Sequence, residues 1–252
     1  MSYHSSASAK ASPALGKPPA PKTFKEGFLG RLLDPLDRIV EAIYSVLIVL
    51  TFTLAARSIL TQTAVPDALD RVNPTTQLFW AALGCALAWG LIDGAMYVLT
   101  CVFERGQDRR LYKLVRNAVD EDEGAAVLAA ESDTPLSDIV SESELRAFYG
   151  ALYQRLRTTP PPRVGFEKAD FAGGLGIFLV AVGAALPLLL PLVLFPGSEE
   201  FQVRASNFVA FIMLFLMGYR WGVYAGGKPW LTGLLLLVLG VAMMIVAIPL
   251  GG

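Results

Sequence analysis

The 252-residue chain is 54% hydrophobic and 17% charged, with a net charge of −1 and a mean hydropathy of +0.51. An average this apolar, gathered into long blocks, marks a membrane protein, and the near-neutral balance offers no basic field for nucleic acid. One histidine, His4, and two cysteines, Cys85 and Cys101, argue against a histidine-based metal site, a catalytic triad and a disulfide framework.

Residues 1–24 are rich in Ser, Ala, Pro and Lys and carry no apolar signal-peptide core, so they are expected to form a disordered tail. In 25–38, Phe28, Leu29, Leu32, Leu33 and Leu36 recur at helical spacing opposite charges. That pattern predicts an amphipathic helix lying at the membrane surface. Asp34-Pro35 reads as a helix cap followed by proline at the first helical position.

Five apolar runs follow, at about 39–56, 78–103, 171–195, 205–224 and 229–250. Each approaches or exceeds the roughly 17–25 residues of a spanning helix. The expected fold is an all-α polytopic membrane protein with five transmembrane helices. Spans one and two lie in 39–103, spans three to five in 171–250, and a cytoplasmic acidic helical insertion occupies 104–170. With the N-terminus inside, 18 Lys and Arg fall on inner segments, and only Arg57, Arg71 and Arg204 on outer ones. The positive-inside rule then predicts a cytoplasmic N-terminus and an external C-terminus.

Within the insertion, Leu111, Leu114, Val115 and Ala118 share a face that continues the second span. A second helix is expected to open on the capping box Ser141 and Glu144 and to present Leu145, Phe148, Leu152 and Leu156. The breaker "TTPPPRVG" precedes span three.

Asp93 is the residue that most needs a reason. It lies about 15 Å inside the inner boundary of its apolar run, where a carboxylate costs roughly 2.5–3.5 kcal/mol even on the gentler insertion scales. It is expected to face the bundle interior between spans one and two as a cation ligand or proton acceptor. The plainer reading is a hydrogen-bonded structural aspartate. Gly94 permits close backbone approach, and Met96 offers a thioether near the same face. Glu41 and Asp37, four residues apart near the start of span one, want a cation or a shared proton, or are solvated at the interface. In span three, Pro187 and Pro191 free the carbonyls of Gly183 and Pro187, either for an ion path or simply as a kink. Glu104, Asp120, Glu123 and the acids around them form an oxygen-rich region that suits Mn²⁺, Fe²⁺, Mg²⁺ or Ca²⁺, or a solvated face.

The stretches "GAALPLLLPLVLF" and "FLMGYRWGVYAGGKPWLTGLLLLVLGVAMMIVAIPLG", with a looser match at "VLTFTLAA", resemble the vacuolar iron transporter family. The resemblance covers about 39–250 and implies a homodimer in a lipid bilayer that exports Fe²⁺ or Mn²⁺ from the cytosol against protons. It implies no enzyme activity and no resident cofactor. It also implies a metal path through an acid in span one and a Met with an acid in span two, fed by paired acids in the insertion. On this chain the corresponding residues are Glu41 with Asp37, Asp93 with Met96, and Glu104, Asp120 and Glu123. The sequence departs from that pattern in span one, where Tyr44, Ser45 and Val46 stand in place of Asp-Gly; the Asp-Gly pair is Asp93-Gly94, in span two. A chain without an organelle signal is expected in a bacterial plasma membrane. The competing expectations are a non-transporting scaffold that keeps the fold, and a monovalent channel, for which no carbonyl filter sequence is visible.

Overall fold

A computed structural model describes residues 35–62, 74–131, 140–195 and 198–247, with side chains to be read everywhere in these except 57–62. The expected tail, and the 25–34 part of the interfacial helix, lie outside the described residues. The described chain is helical throughout, with no strand. Its helices are α1 (Pro35–Gln62), α2 (Pro74–Asn117), α3 (Glu121–Glu131), α4 (Glu142–Thr158), α5 (Lys168–Leu189), α6 (Pro191–Leu194), α7 (Glu199–Tyr224) and α8 (Pro229–Ala247). Pro35, Pro74, Pro191 and Pro229 each open a helix, where the missing N–H costs nothing. Residues 35–38 therefore belong to the first turn of α1.

Five helices are long and apolar enough to cross a membrane: α1, α2, α5 with α6, α7 and α8. α1 is the hub and touches α2, α5, α7 and α8. Half of its apolar window is buried, against 17% for α8 at the periphery. Val46, Val49, Leu50 and Thr53 of α1 are almost fully enclosed. The outer faces carry Trp80, Leu91, Phe208, Trp230 and Leu235, each more than half exposed. Such a surface is costly in water and neutral in hydrocarbon.

Small residues set how closely the helices approach. Ala82, Ala86, Gly90 and Gly94 form a buried line at four-residue spacing on α2 and meet Gly174 and Ala181 of α5. A β-carbon placed on Gly94 would stand 2.6 Å from the carbonyl oxygen of Gly174, so the two backbones touch there. α7 and α8 meet in the same way: a β-carbon on Gly218 would stand 2.8 Å from the carbonyl oxygen of Thr232. Gly226, at φ 69°, makes the left-handed turn between these two helices.

The helix is interrupted between the paired prolines. Leu190 ends α5 and Pro191 begins α6. The Leu188 carbonyl beside the break accepts a hydrogen bond from the Ser206 hydroxyl of α7 at 2.6 Å, buried between the helices. That bond ties the interrupted stretch to a neighbouring helix; it does not involve the carbonyls of Gly183 and Pro187.

α2 runs without interruption through residue 103 into the insertion. Its far end packs with α3 and α4 around Val115, Ala125, Leu128, Tyr149 and Tyr153. The capping box at Ser141 and Glu144 is present, with the Ser141 N–H donating to Glu144 Oε2 at 3.1 Å. Two expected core residues differ: Leu114 is 42% and Phe148 is 54% exposed. Tyr149 and Tyr153 fill the core instead, the Tyr153 ring lying directly over Gly124, which has no side chain to block it.

Candidate functional site

The site begins with two patterns of four-residue spacing. On α1, Asp37, Glu41 and Ser45 lie one turn apart. Asp37 is exposed at the helix start, whereas Glu41 and Ser45 are buried, at 7% and 3% exposure. The Ser45 hydroxyl donates to Glu41 Oε1 at 3.3 Å. On α2, Trp89, Asp93, Tyr97, Cys101 and Arg105 follow one another at the same interval. All five are half-buried, so one side of the helix carries a continuous polar file.

The Gly94–Gly174 contact orients that file. With Gly94 turned against α5, the preceding residue points about 100° away around the helix, toward α1. The carboxyl groups of Asp93 and Glu41 accordingly come within hydrogen-bonding reach of each other. Asp93 Oδ2 is buried with no hydrogen-bond partner among the described residues. Two carboxylates so close in an apolar bundle cannot both stay ionised without a counter-charge; at least one must take up a proton, or a cation must sit beside them.

Below the pair, the Tyr97 hydroxyl lies within hydrogen-bonding reach of the Cys101 thiol and close to Asp37 and Asp170. Its ring occupies the space left by Gly173 of α5. One turn beyond Cys101, Arg105 grips Asp170 with both terminal nitrogens, Nη1 to Oδ1 at 3.0 Å and Nη2 to Oδ2 at 2.5 Å. Arg105 Nη2 also donates to the Gly165 carbonyl at 2.9 Å. Asp170 is 5% exposed and Arg105 20%. The same Asp170 carboxylate caps α5 by accepting from the Glu167 N–H at 2.8 Å.

The remaining expected ligands lie elsewhere. Met96 is 54% exposed on another side of α2, because three residues of helix carry it about 60° round from Asp93. Glu104 is exposed about 16 Å further along the helix axis. Asp120 and Glu123 cap α3: Asp120 Oδ1 accepts from the Glu123 N–H at 2.8 Å, and Glu123 Oε2 accepts from the Val119 N–H at 2.7 Å. Glu121 accepts from Gln154 of α4 at 2.8 Å. Asp120, Glu121 and Asp122, but not Glu123, line an open cleft of about 800 Å³ between α3 and α4, together with Glu142 and Arg146. Among the described residues no group of three or more His, Cys, Asp or Glu is placed to hold a metal ion.

Tyr97, Cys101, Arg105 and Asp170 are the site residues that reading for isolated acids passes over. Their signal is the interval of four that runs from Trp89 to Arg105 through a segment otherwise apolar. No protein-family model matches the chain, and no curated protein matches it.

Proposed function

We propose that the chain is a multi-pass membrane transporter that moves a divalent cation, Fe²⁺ or Mn²⁺, out of the cytosol in exchange for protons. Glu41 and Asp93 form its exchange site. The observation that carries this reading is the carboxyl pair itself. Two carboxylates are neutralised either by two protons or by one divalent cation, so each occupant displaces the other without leaving net charge in the bundle. The Ser45 hydroxyl beside Glu41 supplies a further oxygen. Metal ligation needs the ionised acids, so metal and proton compete by construction.

The distribution of 18 basic residues against 3 supports an inward N-terminus, with α3 and α4 on the cytoplasmic side. The likeness of 39–250 to vacuolar iron transporters supports a homodimer; the bacterial plasma membrane is its proposed location. Asp93→Asn keeps shape and a hydrogen bond but cannot ionise, and Glu41→Gln does the same across the pair. In proteoliposomes carrying a fluorescent Fe²⁺ or Mn²⁺ indicator, both variants should insert and fold yet lose metal-driven flux. Flux in Asp93→Asn equal to that of the parent would end the claim that this carboxylate carries the ion. A second reading, a scaffold that no longer transports, is favoured by the lack of a three-ligand cluster among the described residues and by the outward Met96. A parent protein that neither binds nor moves either metal would establish it.

A further inference from the structure

Six buried side-chain polar atoms lack a partner among the described residues, and their placement is uneven. Trp89 Nε1, Asp93 Oδ2 and Arg105 Nε all belong to the file on α2. Arg38 Nε is on α1, one turn before Glu41. A buried polar atom left without a bond costs about 1–3 kcal/mol, and the usual remedy is water. The other two orphaned atoms, Gln202 Oε1 and Asn207 Oδ1, are on α7. Between the orphaned atoms lie the Tyr97 hydroxyl, the Cys101 thiol and, from α1, Asp37. At the end of the file the bidentate Arg105–Asp170 pair joins α2 to the first turn of α5, and Glu167 lies close by. That pair is nearly neutral as a unit and fills the space between the helices where they leave the apolar bundle.

We infer that the file from Arg105 through Cys101 and Tyr97 to Asp93 is a hydrated route by which water and protons pass between the Glu41–Asp93 pair and the side that carries α3 and α4, and that the Arg105–Asp170 pair closes its mouth. The purpose of the route rests on the exchange reading of the acid pair; the route itself does not. Hydroxyl, thiol and indole N–H groups hold water without demanding a metal, which suits a proton path better than a cargo path. Opening the mouth requires that the bidentate pair and the Arg105–Gly165 bond come apart, which a modest shift of α2 against α5 accomplishes.

Cys101 is a native reporter, one turn inside the mouth. In a Cys85→Ala background, vesicles exposed on both faces to a permanently charged methanethiosulfonate reagent read water access to Cys101, because the reagent does not enter hydrocarbon. Arg105→Gln should raise the labelling rate about tenfold or more, the factor expected if the pair holds the mouth shut by as little as ~1.4 kcal/mol. Arg116→Gln is the control for general loosening. Arg116 also holds the segment before α5, donating from Nη2 to the Thr159 carbonyl at 2.6 Å, but lies three turns from the mouth. Unchanged labelling in Arg105→Gln, or an equal rise in Arg116→Gln, would overturn the inference. If labelling rises as expected while Asp93→Asn keeps full metal flux, the route stands and the transport assignment falls. If Asp93→Asn abolishes flux while labelling stays flat, the reverse holds.

Discussion

Substituting Gly94 with alanine tests the contact that aims Asp93. The added β-carbon would stand 2.6 Å from the Gly174 carbonyl oxygen, where ordinary contact begins at 3.4 Å. The shortfall of 3.4 − 2.6 = 0.8 Å must be made up by backbone movement, since backbone lies on both sides of the contact. Overpacking of this kind costs about 1–3 kcal/mol. Alanine also improves helix propensity by about 1 kcal/mol, which partly hides the strain. Gly84→Ala, with nothing within 4 Å of its new methyl, gains that propensity without the clash. The difference between the two variants therefore isolates the strain, and Gly94→Ala should be less stable than Gly84→Ala by ~1–3 kcal/mol in reversible unfolding from mixed micelles. It should also weaken flux, because pushing α2 from α5 carries Asp93 out of register with Glu41. A Gly94→Ala protein as stable as Gly84→Ala would refute the close crossing, and with it the account of why Asp93 faces α1.

Ser206→Ala removes the hydroxyl on the Leu188 carbonyl and should cost about 1–3 kcal/mol by the same unfolding assay. Glu200→Gln, which breaks the exposed Arg204–Glu200 pair, should cost less than about 1 kcal/mol; equal losses would mean that the proline break needs no tether. The Ser141 hydroxyl, followed by the Ser141 backbone N–H, holds the Glu144 carboxyl below its usual range. The capping contribution is thus complete above the ordinary carboxylate range and is lost as pH falls through the lowered value. NMR shifts from the first turn of α4 should report fraying on acidification, and Glu144→Gln should abolish that pH response; a response that persists in Glu144→Gln would assign it to another group.

Much of the scaffold was legible because hydrophobic length and caps are local properties. The five apolar helices, the extension of span two into the insertion and the Ser141 cap follow from patterns within a few turns of chain. Asp93 announced itself by cost alone. Its place between spans one and two, on one path with Glu41, was an expectation of the sequence; the direct approach of the two carboxyls depends on how α1 and α2 pack. Met96 lies about 60° round the helix from Asp93, and which of the two is turned to α1 depends on the rotation that sets Gly94 against Gly174, eighty residues away. Tyr149 and Tyr153 were hidden for a different reason: their rings are apolar enough to fill a core while their hydroxyls make them look like surface residues. Asp170 read as the last residue of the insertion; only the fold brings Arg105 to it.

The unbroken length of α2 has a mechanical consequence. Its 44 residues extend about 66 Å as one rod, held against α5 at Gly94 and gripped at its far end by α3 and α4 around Val115. Gly94 then acts as a fulcrum with an arm of about 32 Å to Val115 and about 17 Å to Arg105. A tilt of ~10° about that point would carry Val115 by ~5.5 Å and Arg105 by ~3 Å, while Asp93, next to the pivot, would barely move. Leverage of this kind lets an event in the α3–α4 cluster reach the Arg105–Asp170 contact at about half its amplitude, yet leaves the acid pair undisturbed.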